Sequence, residues 1–413
     1  MVFKCQADSF LKEFVTKVSK IEKADDGKLL VNFEDTILFP EGGGQPTDHG
    51  IIVIKSEGVE KKIEVLSVVR KGPEAIHAIE SADDAILSVG DEVLQIVNWE
   101  RRHDHMQQHS GQHLISALFE KEYNYNTKAW WLGAESSYIE IDGKSITDEE
   151  MKRIEQMSNS FIAQALPVNV QIYETPDHAG DEVTRASRGL PLDLSGPIRV
   201  INIEGVDSNM CCGTHVTNLA QLQLIKLMNI EKTKGKTFVH FLVGNRVVKK
   251  LETSFQREVQ FTSLLNGGAD SHVDLLKKLQ TNFKASQKTV QKLSKEVATK
   301  VAEEFSVDSS QKDYFSLHKS DGVDIDFANT FLRTVKADKK VFFFITIADG
   351  IDSKSGSLII QGDSEDIKVL ADPICQLLGG KGNGKNNRYQ GKVTQLGKVK
   401  DCEVLIKNHF AKK

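Results

Sequence analysis

Over the first hundred residues the apolar positions come in short, β-branched runs. Leu29–Phe33, Ile51–Ile54, Ile63–Val69 and Glu92–Val97, separated by Gly, Asp and Lys, predict strands, and a small β-barrel is the expected result. Phe10–Ser19 is the one amphipathic helix candidate in this stretch. From Trp99 the period changes. Leu114, Ile115, Leu118 and Phe119 mark the buried side of a helix over Met106–Glu122. A strand follows at Ser137–Ile141. Thr147, with Glu150 three residues on, forms a capping box that opens a helix running to about Ala165, before Pro167. Val168–Tyr173 and Ile198–Ile203 predict strands, and Leu222–Met228 pairs with Thr237–Val243 across a Lys-Thr-Lys-Gly-Lys turn. These elements predict an α+β domain with helices packed on one sheet.

Residues 247–305 read as helical. Leu276, Phe283, Val290 and Val297 repeat every seven residues, with Leu279 and Leu293 between them. Ser286 weakens the second row, so a short antiparallel or intramolecular helix pair is expected rather than a long free coiled coil. The last hundred residues predict a second α/β unit: strands at Val341–Ile347 and Ser357–Gln361, then a helix to Leu378 that Pro373 starts or kinks. The chain thus divides into an α+β multidomain plan: 1–100 a barrel around a Gly-rich loop, 101–246 an α/β domain, 247–310 a helical spacer, and 311–413 a C-terminal domain.

Composition narrows the class. The chain has 413 residues, 39% hydrophobic and 27% charged, as expected of a soluble globular protein of two to four domains. No apolar run approaches the roughly 20 residues that cross a bilayer. Its start resembles neither a signal nor a transit peptide, and five scattered cysteines suit a reduced, cytoplasmic protein. Net charge is −5, but the end beyond Gly380 is locally basic. There Gly379-Gly-Lys381-Gly-Asn-Gly-Lys385 is followed by Arg388 and Lys392. Glycines bring backbone amides near phosphates and the cations neutralise them.

Candidate chemistry lies in two motifs. His109-Ser-Gly-Gln-His113 sets two imidazoles one helical turn apart on one face. Cys211-Cys-Gly-Thr-His215 offers a thiolate and an imidazole in a tight turn. Three imidazoles and one thiolate suit zinc. His105 lies four before His109, so spacing alone leaves the histidine pair open by one turn. In the barrel, Thr36-Ile-Leu-Phe-Pro40-Glu-Gly-Gly-Gly-Gln45 carries three successive glycines, which permit positive φ and close approach of a ligand to the main chain. It is no phosphate loop, since no Lys-Ser/Thr follows.

In this order, the Gly-rich loop and the two motifs resemble the editing domain of alanyl-tRNA synthetase and its free-standing trans-editing relatives, the AlaX-type proteins. The resemblance covers nearly the whole chain. It implies a small β-barrel, a two-layer α/β zinc editing domain, a helical spacer and a C-terminal α/β tRNA-binding domain. It implies that His109, His113, Cys211 and His215 hold one zinc ion, which sets His105 aside. Gly43-Gly44-Gln45 matches the family's Gly-Gly-Gln motif, and Thr36 matches the position that contacts a serine hydroxyl. Lys381, Lys385, Arg388 and Lys392 fall in the tRNA-binding end. The implied activity is a zinc-dependent aminoacyl-tRNA hydrolase. It would act in trans on tRNA-Ala mischarged with serine, glycine being a second candidate. Backbone amides of the Gly loop and Gln45 would fix the substrate carbonyl, and His103 and His105 are candidate bases by proximity only. No class II synthetase motif or ATP-binding segment is present, so neither tRNA charging nor ATP use is expected. Cys212 stands where many relatives carry glycine, and its side chain is expected to point away from the metal. The alternative is a catalytically silent tRNA-binding or cochaperone-like module. A peptidase is disfavoured because the glutamate of H-E-x-x-H is missing. The oligomeric state stays open.

Overall fold

The structure, a computed structural model, describes residues 2–25, 27–56, 59–80, 87–142, 145–174, 197–307, 313–320, 323–336, 340–351 and 353–413. It divides into two compact units, Met1–Val259 and Gln260–Lys413. The expected spacer boundary at residue 310 lies outside the described residues. Among the described residues no helix is long and apolar enough to cross a membrane.

The first unit begins with a short helix, α1 (Lys4–Ala7), and six strands: β1 (Glu13–Lys23), β2 (Leu29–Phe33), β3 (Gly50–Ser56), β4 (Val59–Lys71), β5 (Glu74–Ile79) and β6 (Glu92–Val97). They close into a barrel in the order β1-β2-β5-β4-β3-β6. In β5 and β6 every second residue is buried, the period-two signature of a strand with one face on a core. Val31, Ile52, Val65, Ile79 and Val93 fill the interior. The helix expected at Phe10–Ser19 is instead strand β1. Thr16 and Val18 point inward while Val15 is exposed, so the true period is two, and three β-branched residues in four positions favour extended backbone. Pairing with both β2 and β6 makes β1 the strand that closes the barrel.

Helix α2 (Trp99–Tyr123) starts about two turns earlier than the apolar pattern alone indicates, because Asn98 caps it by accepting the Arg101 N–H. The apolar side is Leu114, Ile115, Leu118 and Phe119 as expected, but the polar side is buried too. Several of its amides and its arginine are matched by partners from other elements. Gln108 exchanges hydrogen bonds with both backbone groups of Val243, and Gln107 donates to the Gln221 carbonyl. Arg102, fully buried, donates through Nε to Asp48 Oδ2 at 2.8 Å and through Nη1 to the Ser9 carbonyl at 3.0 Å. Asp48 also accepts the Phe39 N–H. This ion pair binds the Gly-rich segment to α2. Removing one partner of such a pair costs about 3–5 kcal/mol, because the other charge stays buried.

Beyond α2 come β7 (Thr127–Leu132), β8 (Ser137–Ile141), α3 (Asp148–Ala163), β9 (Val168–Tyr173), β10 (Ile198–Ile203), β11 (Asp207–Met210), β12 (Ile225–Thr233), β13 (Lys236–Val243) and α4 (Asn245–Leu265). Thr147 and Glu150 form the expected capping box of α3. The strands make two sheets rather than one, β12-β13-β8-β7 and β11-β10-β9. The segment after His215 explains the separation. It occupies the start of β9, where Val168 N–H donates to the Thr217 carbonyl and Pro167 bridges to Asn218.

In the second unit, α5 (His272–Val307) is separated from α4 by Gly267-Gly268 and a single 3-10 turn, Ala269–Ser271. The heptad residues Leu276, Leu279, Phe283, Val290, Leu293 and Val297 are exposed, so the expected seam is not buried among the described residues. Only the last turns of α5 pack, through Ala298, Ala302 and Phe305. Next come β14 (Tyr314–Lys319), α6 (Ile325–Thr334), β15 (Phe342–Ala348), β16 (Gly356–Gln361), α7 (Ser364–Leu377), β17 (Lys381–Lys385), β18 (Arg388–Val393) and α8 (Val399–Phe410). The sheet order is β14-β15-β16-β18-β17. β15 is buried on both faces. Phe343 and Ile345 face Phe327 and Phe331 of α6, while Phe342 and Phe344 face the core of α7 and α8. Pro373 lies inside α7 and does not start it. Val369, whose carbonyl loses its helical partner there, is exposed.

His77, in β5, sits fully buried in the barrel with its ring edge on Phe33, and burial pushes its pKa from 6.5 down to about 4. The unfolded chain therefore takes up this proton first. The resulting stability is complete above pH 6.5 and is lost as pH falls through 4. Urea unfolding at pH 7 and pH 4.5 should show His77→Gln losing about 2–3 kcal/mol less on acidification than wild type. Equal pH dependence of the two proteins would contradict this.

Candidate metal centre

His109 and His113 lie one turn apart on α2 with ring centroids 5.2 Å apart, and the His215 ring sits 4.5 and 4.7 Å from them. Cys211 Sγ is 3.4 Å from His109 Nε2 and 3.2 Å from His215 Nε2. One ligand atom from each of the four residues lies within 4.8 Å of the others, and all four residues are buried. His105, one turn earlier, is outside this group. Ligand bonds of 2.0–2.3 Å around a tetrahedral ion put neighbouring donors about 3.3–3.6 Å apart, so thiol–imidazole spacings of 3.4 and 3.2 Å are close to those a zinc ion requires. Burial holds His109 down to about 3 and His215 well below 6.5, so both rings are neutral, the form that ligates. Burial pushes the Cys211 thiol up to about 12, against the pull of Arg199 and the Gly213 N–H.

Residues behind the donors orient them. Gln45 is fully buried. Its Oε1 accepts from Thr214 N–H at 2.9 Å and from His109 Nδ1 at 3.0 Å, and its Nε2 donates to Thr214 Oγ1 at 2.8 Å. An amide oxygen only accepts, so His109 carries its proton on Nδ1 and turns the Nε2 lone pair towards Cys211. Ser110 Oγ accepts the Val216 N–H and lies 3.0 Å from His215 Nδ1. Arg199 of β10, also buried, donates to the carbonyls of Gln6, Cys211 and Gly213 and so clamps the ligand turn to α1. Gln6 Nε2 adds a bond to the Cys212 carbonyl.

Two glycines are set by packing. A Cβ on Gly213 would stand 2.1 Å from His109 Cε1, and one on Gly111 would stand 2.6 Å from Val243 Cγ2. In the loop, Gly43 and Gly44 have φ of 59° and 77°, and Trp130 Nε1 donates to the Gly43 carbonyl at 3.1 Å.

The candidate residues separate into three places. Gly43, Gly44 and Gln45 adjoin the four donors, but the Gln45 amide is spent on His109 and Thr214. Thr36 is buried in the barrel, where its hydroxyl accepts the Leu38 N–H, donates to Gln95 Oε1 at 3.0 Å and lies 2.9 Å from His77 Nε2. Cys212 lies outside the donor group and lines a cavity beside the Gly loop. His103 stacks on Trp99. Lys381, Lys385, Arg388 and Lys392 share the β17–β18 hairpin of the second unit, where Lys381 faces Lys392 and Lys385 faces Arg388 across the ladder. Lys392 pairs with Asp349 at 3.0 Å, Arg388 donates to Asn329, and Lys381 and Lys385 are exposed.

Ser110, Gly213 and Thr214 lay inside the motifs, yet nothing in their spacing assigned them a supporting role. Arg199 had one visible signal, a cation in the apolar run Ile198–Ile203. Trp130 had none. Gln45→Ala should weaken zinc binding about 10–100-fold, and Gly213→Ala should displace the His109 ring and abolish it. Metal content by elemental analysis and zinc titration against a chelator measure both; full zinc loading of Gly213→Ala would contradict the geometry.

Residues 198–239 match the model of the threonyl and alanyl tRNA synthetase second additional domain. This segment carries β10, β11 and the turn with Cys211 and His215. The alanyl-tRNA editing protein Aarsd1 of Danio rerio is 42% identical, over 100% of this chain and 98% of its own length. The putative alanyl-tRNA editing protein alaX of Saccharomyces cerevisiae is 28% identical over 95% and 93%. The alanyl-tRNA editing protein AlaX-L of Pyrococcus horikoshii is 31% identical over 59% and 58%. A likeness of this extent, with all four donors gathered in one buried group, places the chain in the alanyl-tRNA editing protein family.

Proposed function

We propose that this chain is a trans-acting, zinc-dependent aminoacyl-tRNA deacylase that removes serine, and glycine as a second substrate, from mischarged tRNA-Ala in the cytoplasm. The observation that carries this reading is the buried group of three histidines and one cysteine, tied through Gln45 to a Gly-rich loop. Its relatives are named as alanyl-tRNA editing proteins, which supports the substrate class. His109, His113, Cys211 and His215 would hold the ion, which supplies positive charge to orient the aminoacyl ester or a water.

The chain's own residues do the rest. Gly43 and Gly44 present bare backbone to the ester, with the Gly43 carbonyl held by Trp130. Gln45 acts as a positioning residue, fixing the proton of His109 on Nδ1. Thr36 fixes the entry to the loop by accepting the Leu38 N–H. A pocket shaped for alanine rejects a neighbour of similar size by only about 1–3 kcal/mol, whereas a second site that hydrogen-bonds the serine hydroxyl leaves a polar group unpaired when alanine enters. In this reading 1–100 supplies the loop, 101–246 the metal centre, 247–310 a helical spacer and 311–413 the hold on tRNA. Lys381, Lys385, Arg388 and Lys392 contact phosphates, and neither ATP nor a membrane takes part.

Serine-charged and alanine-charged tRNA-Ala, incubated with protein before and after metal stripping, test the reading. Serine should be released quickly and alanine spared, and stripping should abolish the reaction. His113→Ala should lose zinc and lower the rate by more than about 100-fold. A zinc-loaded protein that binds tRNA without hydrolysis would replace the deacylase with a silent tRNA-binding module. Separately, Lys381→Ala with Lys385→Ala should weaken tRNA binding and flatten its logarithmic salt dependence by about 1.5–2. Unchanged affinity across salt would remove the hairpin from the RNA interface.

A further inference from the structure

The three glycines of the loop differ. Gly43 and Gly44 have positive φ, and a Cβ on Gly44 would also strike the Trp130 ring 2.3 Å from its Nε1. Gly42 has neither reason. Its φ is not positive, and a Cβ there would meet only the Pro40 carbonyl oxygen, at 3.9 Å. A glycine that neither backbone nor packing requires still costs the fold chain entropy. Its bare Cα leaves room for close approach of a ligand.

A place for that ligand lies beside it. Gly42 and Gly43 wall a cavity of about 210 Å³ whose other sides include Phe3, Gln6, Arg70 and Cys212. Cys212 is joined directly to Cys211, so the cavity backs onto the metal-ligating turn. Arg70 Nε donates to the Gly72 carbonyl at 2.9 Å, which orients the guanidinium, and its carbon lies 6.0 Å from the centre of the Phe3 ring. No ion pair engages Arg70 among the described residues, so its remaining N–H donors are available to an anion. Glu41, also on the wall, is exposed to solvent.

If the ester is broken beside the Cys211 turn, the group immediately attached to it is a ribose carrying a base and a 5′-phosphate. We propose that this cavity seats the terminal nucleoside of the aminoacylated RNA, with Arg70 pairing to its phosphate and the bare backbone of Gly42 against its sugar. The inference rests on the deacylase reading and adds a binding site and two residues to it. A guanidinium is suited to a phosphate by its planar fork of donors, and lysine supplies only a point charge.

Adenosine 5′-monophosphate is the probe, titrated into the full-length, zinc-loaded protein and followed by NMR or calorimetry. Wild type should bind it. Gly42→Ala and Arg70→Ala should each weaken binding at least tenfold, with Arg70→Lys between. Gly42→Ala should keep its zinc and its melting temperature, since the added methyl touches almost nothing in the free protein. With serine-charged tRNA, Gly42→Ala and Arg70→Ala should raise KM by a similar factor and leave kcat within about twofold. No binding of the nucleotide by wild type, or binding indifferent to Gly42→Ala and Arg70→Ala, overturns the proposal. Failure of wild type to deacylate would sink the deacylase reading, while Gly42-sensitive nucleotide binding would still support the cavity as the seat.

Discussion

The side-chain amide of Gln45 is the constraint on which the candidate centre depends. It joins the barrel loop to α2 through His109 and to the ligand turn through Thr214, partners 64 and 169 residues away in sequence. Both ends of the amide are committed, and the Thr214 N–H decides which end is oxygen. That assignment leaves His109 one tautomer. Glycine at 213 completes the arrangement, because the amide and the imidazole fill the space a side chain would need. The loop motif and the metal-ligating motifs are thus parts of one hydrogen-bonded object.

Around that object the fold buries charge, which is unfavourable unless each charge is matched. Arg102 meets Asp48 and two carbonyls. Arg199 meets only carbonyls in its hydrogen bonds, with the Cys211 thiol close enough to feel its charge. Apolar replacements of similar shape often stabilise such sites, so these arginines are better understood as fixing geometry than as adding stability. Arg102 fixes the loop against α2, and Arg199 fixes the turn against α1. Between those two clamped segments lies the cavity walled by Gly42, Arg70 and Cys212.

The second unit follows a different logic. Its central strand β15 is covered on both faces, and Lys381 and Lys385 lie at the sheet edge, where β17 is exposed along its whole length. Lys385 and Arg388 face each other across that hairpin, a like-charge pairing that an anionic partner would relieve, while Lys392 already pairs with Asp349. An exposed edge strand rich in lysine and glycine also resists pairing with other chains.

Much of the architecture was legible in the amino-acid order. Short β-branched runs gave away the barrel, the Thr147–Glu150 spacing gave away the start of α3, and the two four-residue spacings marked a candidate metal centre without fixing which histidine pair serves it. Such signals are local, set within a turn or a strand. Phe10–Ser19 misled because a short amphipathic pattern does not separate helix from strand until its neighbours β2 and β6 are in place. The spacing of His105, His109 and His113 likewise left the metal pair open by one turn. Within the fold, His109 and His113 join Cys211 and His215 in one group, and His105 lies outside it. Only the tertiary structure could turn Gln45 towards His109, take Thr36 into the barrel, and bury Arg102 and Arg199, because each depends on burial and on partners far away in the chain. The sequence by itself determined which groups the protein owns, and packing decided which of them meet.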